Sequence, residues 1–414
     1  MTPGAAGFAG RSAGRDPWVL LICCARVFLF ANFMVLAATL PVLMPAWGIG
    51  AARAGSIITS FTLAYALSLF ATSWLADHFG AKRVALASAW ATAAAALAFG
   101  FGARDYLSAF ILYGLAGLMQ GGTYTPVVML FAERFAPQQR GKAVGWLIGS
   151  TSVGYAGSLG IAGLGLSLGG WQTAFALSGL LPAAGAALLT AVLWRQANTI
   201  HARAGALNLR RVMAASADAR RLIAGYTAHS WELLGMWAWV PAFVAANLAQ
   251  GGWAIAGASG LAAYIGAASH IAGAGASLSM GTASDIHGRR KVLLLVAAAC
   301  ALLSFSIGWM VGATPILVVP LVLAYAFLAI GDSAVLSTAL TETVDPAWLG
   351  SVLAVRSLLG FGAGAAAPLA FGAVLDAVGG SGPLAWGLAF ASLGIAGALA
   401  AWFAFRLSDG TRRG

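Results

Sequence analysis

Four charged side chains lie inside long apolar runs of this 414-residue sequence: Arg26, Glu232, Asp332 and Arg356. A charge in the middle of a bilayer-length apolar segment costs roughly 2.5 to 3.5 kcal/mol on insertion scales, so such residues point to function. A guanidinium stays charged and grips a carboxylate with two parallel N–H donors, which makes Arg26 a candidate contact for an anionic or strongly hydrogen-bonding ligand. Its structural alternative is an ion pair with a carboxylate such as Glu232. Arg356 is a second candidate ligand contact, with pairing to Asp332 or extension of its head to the membrane surface as the alternatives. Glu232 and Asp332 are groups that can take up and release a proton when their surroundings alternate between wet and closed. His229 precedes Glu232 by three residues and so shares its face of a helix, where it either joins proton exchange or serves as a hydrogen-bonding group. Tyr65, Gln120, Tyr124 and His270 fall at similar depth in their runs, and Trp237 offers a face on which a ligand could stack.

The elements that position these residues follow from composition. Sixty per cent hydrophobic and 8% charged residues, with a mean hydropathy of +0.86, lie far from the roughly 25% charged content of soluble domains. The apolar material divides into twelve segments, at about 17–44, 53–76, 84–101, 106–131, 142–166, 171–194, 221–246, 257–281, 291–312, 316–341, 350–377 and 383–407. Each crosses about 30 Å of hydrocarbon as a helix at ~1.5 Å per residue. Helices are required because backbone groups in lipid must be satisfied internally, and segments of this length exclude a β-barrel. Counted from the helix ends, the four charges sit about 9 to 17 Å deep, in one layer near the membrane centre.

The net charge of +11 is a topology signal. All Lys and Arg residues except Arg26, Arg53, Arg104 and Arg356 fall in the termini or in loops after even-numbered segments, which places both termini in the cytoplasm and requires no nucleic-acid partner. Cys23, Cys24 and Cys300 show neither metal-ligand spacing nor a disulfide framework. No metal or cofactor is expected. Residues 1–16 read as a cytoplasmic tail, 17–194 as one six-helix bundle, 195–220 as a linker, 221–407 as a second bundle and 408–414 as a C-terminal tail. Within the linker, 208–221 suits a short surface-lying helix, with a solvated basic segment as the plainer alternative.

The two bundles are copies of one unit. Trp74-Leu75-Ala76-Asp77-His78-Phe79-Gly80-Ala81-Lys82-Arg83 recurs as Thr282-Ala283-Ser284-Asp285-Ile286-His287-Gly288-Arg289-Arg290-Lys291, an offset of 208 residues. Glu133, Pro137 and Gly141 recur as Glu342, Pro346 and Gly350, and Trp171 and Phe175 as Trp386 and Phe390. Glycine allows a tight turn, aspartate complements a helix N-terminus, and the basic residues pair or face anionic lipid. Alternatively these charges only fix topology.

The doubled signature resembles that of the major facilitator superfamily of secondary transporters, approximately G-x-L-A-D-R-x-G-R-[KR]. The first copy keeps Leu75, Ala76, Asp77 and Gly80, with Ser73 at the leading glycine and His78 at the arginine. The second keeps Gly281, Asp285, Gly288, Arg289 and Arg290, with Ser284 at the alanine. Within the family the chain is similar to bacterial permeases, which implies a bacterial inner membrane protein. The resemblance implies an all-α fold of two pseudo-symmetric six-helix bundles with helices 1, 4, 7 and 10 lining a central cavity. It also implies a cytoplasmic gate in which Asp77 meets the start of helix 11 near Gly350 and Asp285 the start of helix 5 near Gly141. Gly80, Arg83, Gly288, Arg289, Glu133, Arg140 and Glu342 complete that gate.

The expected function is alternating-access transport of a small organic anion or amphiphilic metabolite by a monomer in the lipid bilayer, coupled to protons. A proton-driven drug or metabolite efflux pump is the alternative, although helix 5 has no proline where the drug antiporters of the family carry a Gly-Pro-rich motif. A transport-dead sensor shares the fold. A membrane enzyme is disfavoured, since no H-E-x-x-H or nucleotide-phosphate motif accompanies His229 and Glu232.

Overall fold

All regular structure in the computed structural model is helical, and the structure describes residues 16–200, 216–344 and 349–408. Most of the expected linker, including most of the candidate surface helix, lies outside the described residues, as do both tails apart from Asp16 and Ser408, and the side chain of Arg140.

Helix 1 is built from Pro17–Leu29 and Val35–Trp47, helix 2 is Ala51–Phe79, helix 3 Ala81–Gly102, and helix 4 Tyr106–Gln120 with Thr125–Arg134. Pro137–Leu193 contains helices 5 and 6, which fold back on each other at Gly169 and Gly170, the latter at φ +77°. Helix 7 is Ala217–Gln250, helix 8 Ile255–His287, helix 9 Arg289–Ile307, helix 10 Pro315–Thr343, helix 11 Leu349–Gly364 with Ala367–Val378, and helix 12 Pro383–Phe405. These are twelve spans in two bundles of six, as the hydropathy pattern predicts.

Helices 1, 4 and 11 are interrupted, and the interruptions matter for function. Pro41 and Pro45 sit inside the continuous segment Val35–Trp47, and the break in helix 1 falls earlier, between Leu29 and Val35. Side chains of neighbouring helices take up the freed backbone groups there. Gln120 Nε2 donates to the Leu29 carbonyl at 3.1 Å, Tyr113 Oη to that of Phe33 at 2.6 Å, and Ser158 Oγ both donates to Ala31 O at 2.7 Å and accepts from Met34 N at 2.9 Å. In helix 4 the break at Gly121–Thr123 precedes Pro126, which has no N–H to continue the ladder.

Both signature copies form the same turn. Gly80 and Gly288 have φ of +87° and +90°, a region open to glycine. Lys82 Nζ donates to the carbonyls of Trp194 and Gln196 at the end of helix 6, and its counterpart Arg290 donates to that of Phe405 at the end of helix 12. Each signature therefore ties the third helix of its own bundle to the sixth.

The two bundles meet from mid-membrane to the end opposite the termini, here called the far end. Tyr155 of helix 5 contacts Trp237 of helix 7 and His270 of helix 8, with ring centroids 5.2 and 5.4 Å apart. Nearer the far end, a Cβ added at Gly55 would lie 2.2 Å from the carbonyl oxygen of Pro368, so only glycine admits this approach of helices 2 and 11. Asp376 then accepts the backbone N–H groups of Ala51 and Ala52, both at 2.8 Å, and so caps the start of helix 2 from the opposite bundle.

Candidate functional site

Arg26 is fully buried in the first bundle. Its Nη1 donates to the Thr123 carbonyl, which the break in helix 4 frees, at 2.7 Å, and its Nη2 to Thr151 Oγ1 of helix 5 at 2.7 Å. The guanidinium lies 5.0 Å from the ring centroid of Phe30 and 5.2 Å from that of Tyr124. Such cation–π contacts partly offset the cost of burial. No carboxylate pairs with Arg26 among the described residues, and its Nε has no hydrogen-bond partner. The alternative ion pair with Glu232 is not formed.

Arg356 of helix 11 mirrors this arrangement from the second bundle. It is 8% exposed, stacks 3.6 Å above the centroid of Tyr226, and leaves its Nε unpartnered; it does not pair with Asp332. Tyr124 lies within electrostatic reach of Arg26, Tyr226 and Arg356 together, and Tyr65 and Tyr155 surround Arg26 as well. Four tyrosines and two guanidiniums, drawn from both bundles, thus converge near the membrane centre. Tyr65 also packs on Phe33 and Phe361, with centroids 5.6 and 6.3 Å away.

The carboxylates occupy a different place. His229 Nδ1 is 3.0 Å from Asp332 Oδ1 and its Nε2 is 2.8 Å from Ser333 Oγ, so helix 7 is pinned to helix 10. Glu232 Oε1 accepts from Ser304 Oγ of helix 9 at 2.6 Å and from Tyr325 Oη of helix 10 at 3.1 Å. Its other oxygen faces Gly397 of helix 12, where an added Cβ would lie 2.6 Å away. The sequence reading placed Glu232 on the central cavity. The structure turns it into the interior of the second bundle, among helices 7, 9, 10 and 12, because two hydroxyl donors and a glycine gap await it there.

Gln120 holds the break in helix 1 and faces no ligand space through its amide nitrogen. Trp237 contacts Tyr155 across the bundle interface and His270 within its own bundle, and its Nε1 has no partner among the described residues. Sequence reasoning missed Tyr155, Tyr226, Thr123, Thr151, Ser304 and Tyr325. Tyr226 could have been found, since it lies three residues before His229.

At the end bearing the termini, charges engage their own bundle. Arg289 Nη2 bridges Asp285 at 2.5 Å and Glu342 at 2.8 Å, and Arg289 Nη1 also donates to Ser284 Oγ. The hydrogen bond to Glu342 is the main cause holding the Arg289 guanidinium above its usual range. Among the described residues the ion-pair partner of Asp285 is Arg289 of its own bundle. Asp77 has no hydrogen bond or ion pair among the described residues, while Gly80 and the Arg83 N–H meet the Asn198 amide after helix 6. Arg134, beside Glu133, pairs with Asp16 at 3.2 Å. No group of three or more His, Cys, Asp or Glu residues is placed to hold a metal among the described residues.

Two pseudo-symmetric six-helix bundles that converge on a buried polar layer define a secondary membrane transporter rather than an enzyme. The chain belongs to the Major Facilitator Superfamily, whose description matches residues 22–368. It is 28% identical over 383 residues to the uncharacterized MFS-type transporter Rv2994 of Mycobacterium tuberculosis, covering 87% of this chain and 81% of that one. It is 24% identical over 227 residues to the probable sulfoacetate transporter SauU of Cupriavidus necator, covering 55% of this chain and about half, 52%, of that protein. With the gallate transporter of Pseudomonas putida it shares 27% identity over 195 residues, covering 45% and 42%. Among solved structures, a bacterial homologue of the human lysosomal transporter Spinster, inward-facing and unoccupied, superposes with a TM-score of 0.75 at 16% identity, covering 96% and 97% of the two chains.

Proposed function

We propose that this protein carries a small organic anion across a bacterial cytoplasmic membrane by alternating access, coupled to protons, with both termini and the basic loops in the cytoplasm. One observation carries the reading: Arg26 and Arg356 are buried in opposite bundles, over the rings of Tyr124 and Tyr226 respectively, and neither has a carboxylate partner among the described residues. Two guanidiniums buried without counter-ions favour an anion between the bundles, since the ligand supplies the missing negative charge. A carboxylate or sulfonate suits both guanidiniums, and the surrounding tyrosines suit an unsaturated or aromatic body. Relatives named for sulfoacetate and gallate support that class. The same charge balance disfavours a pump for cationic drugs.

Glu232, Asp332 and His229 serve as proton acceptors beside this site. Their separation from Arg26 and Arg356 leaves the guanidiniums free for the anion. Contacts among the described residues in the far half of the interface, such as Gly55 on Pro368 and Asp376 on Ala51, support a cytoplasm-facing state. The experiment is uptake into proteoliposomes under an imposed pH gradient, with gallate and sulfoacetate as probes and internal pH as a second readout. Anion uptake with proton movement, lost in Arg26→Ala and uncoupled in Glu232→Gln, is expected. Full transport with unchanged pH dependence in both variants would overturn the assignment.

A further inference from the structure

Asp332 is 3% exposed, and its Oδ1, although 3.0 Å from His229 Nδ1, is not aligned for a hydrogen bond and has no hydrogen-bond partner among the described residues. A buried carboxylate oxygen without a donor calls for water or another polar partner. Asp332 also lines a narrow crevice, whose other walls include Arg221 and Leu407 at the end bearing the termini and Gly225, Ala297 and Ala400 deeper in the bundle, with room for about one water molecule. It runs between helices 7, 9, 10 and 12, inside the second bundle, and touches neither Arg26 nor Arg356. Directly beyond Ala297 and Ala400 on the same seam lie Ser304 and Gly397, the two residues against Glu232.

From this we propose that protons reach Asp332 through a water-holding inlet within the C-terminal bundle, separate from the path taken by the anion. The inference rests on the proposed proton coupling but concerns only the route. In the step itself an O–H bond of a hydronium in the crevice breaks, an O–H bond forms at Asp332 Oδ1, and a neutral water remains. The charged and titratable groups facing this seam are Arg221, His229 and Glu232 from helix 7, Cys300 from helix 9 and Tyr325 from helix 10. Helix 8 packs on helix 10 with Gly273 and Ala276 against Ile330 and Gly331, and helix 12 contributes Gly397, Ala400 and Phe403. Arg221 at the mouth is paired with Asp218 at 2.8 Å, which tempers its repulsion of an incoming proton.

The test needs no substrate. Infrared difference spectra of the full chain in lipid, recorded after a downward pH step, report the C=O band of a protonated carboxyl, and Asp332→Asn identifies the band by removing it. Filling the crevice with Ala297→Leu and Ala400→Leu is expected to slow the appearance of that band at least about tenfold while leaving its pH midpoint in place. Ala297→Val alone gives the same direction if the double variant does not fold. An unchanged rate in the filled variants, or no band that Asp332→Asn removes, overturns the inlet. If the band and its slowing are present but anion uptake ignores a pH gradient, the inlet stands and the coupling reading fails.

Discussion

The guanidinium of Arg26 lies 5.2 Å from the ring centroid of Tyr124, and that ring is also within electrostatic reach of Arg356 in the opposite bundle. One tyrosine thus senses a buried cation from each bundle. Arg26→Ala should raise the apparent KM for a transported anion about ten- to a hundredfold, the loss of a charged hydrogen bond of ~1.5–3 kcal/mol. Arg26→Lys keeps the charge but loses the fork that spans Thr123 O and Thr151 Oγ1, so it should recover only part of the affinity. Concentration-dependent uptake of gallate in proteoliposomes checks both, and equal KM in all three proteins would remove Arg26 from the binding site.

Asp376 caps helix 2 across the bundle interface, which makes it a latch on the far end. Asp376→Ala removes the acceptor for two backbone N–H groups at a cost of about 1 kcal/mol, the size of a lost helix cap. Because the cap joins two bodies, that energy should appear mainly as a shift of about fivefold towards the conformation open at the far end. Distances between spin labels at Ala52 and Val378 would report it, and an unchanged distribution would show that the glycine-mediated packing of Gly55 on Pro368 suffices without the cap.

The layer of charged residues and the doubled signature were legible in the sequence, because depth follows from counting residues and duplication from spacing. The direction in which Glu232 points was not. Successive residues of a helix are rotated by about 100°, and a count from the helix end carries no information on which neighbour each one meets. What decides it is the set of Ser304, Tyr325 and Gly397 on three other helices, contributed from 72 to 165 positions away in the chain. The break in helix 1 was hidden for a related reason. No proline marks it, and it exists because Gln120, Tyr113 and Ser158 supply the partners that its open backbone needs.

Asp218, outside the membrane at the start of helix 7, ties that helix to the end of helix 12 through the Ser408 backbone N–H and hydroxyl. Burial disfavours its charge, but the Ser408 and Arg221 contacts outweigh burial and hold the carboxyl below its usual range. A carboxyl lowered in the folded state stabilises fully above its unfolded value of about 3.9 and loses that contribution as pH falls through the folded value. Asp218→Asn should therefore lower the melting temperature at neutral pH, with the difference from the parent shrinking below about pH 4. Melting curves in detergent across that range test the sign; a difference that grows on acidification would contradict it.

Glu232 offers the sharpest separation of structure from coupling. Glu232→Gln retains an oxygen that accepts from Ser304 and Tyr325, so the seam of helices 7, 9, 10 and 12 keeps its hydrogen bonds while the group loses its ability to bind a proton. Glu232→Leu leaves the Tyr325 and Ser304 hydroxyls without that acceptor and sets branched carbons against Gly397, at a cost of about 1–3 kcal/mol for the unsatisfied groups alone. The Leu variant should fall in thermal stability and in every transport assay. The Gln variant should keep its stability and still exchange internal for external anion, a cycle with no net proton movement, yet lose most accumulation driven by a pH gradient. If the Gln variant accumulates anion as the parent does, the proton that couples transport is bound elsewhere, and Asp332 with His229 becomes the pair to alter next.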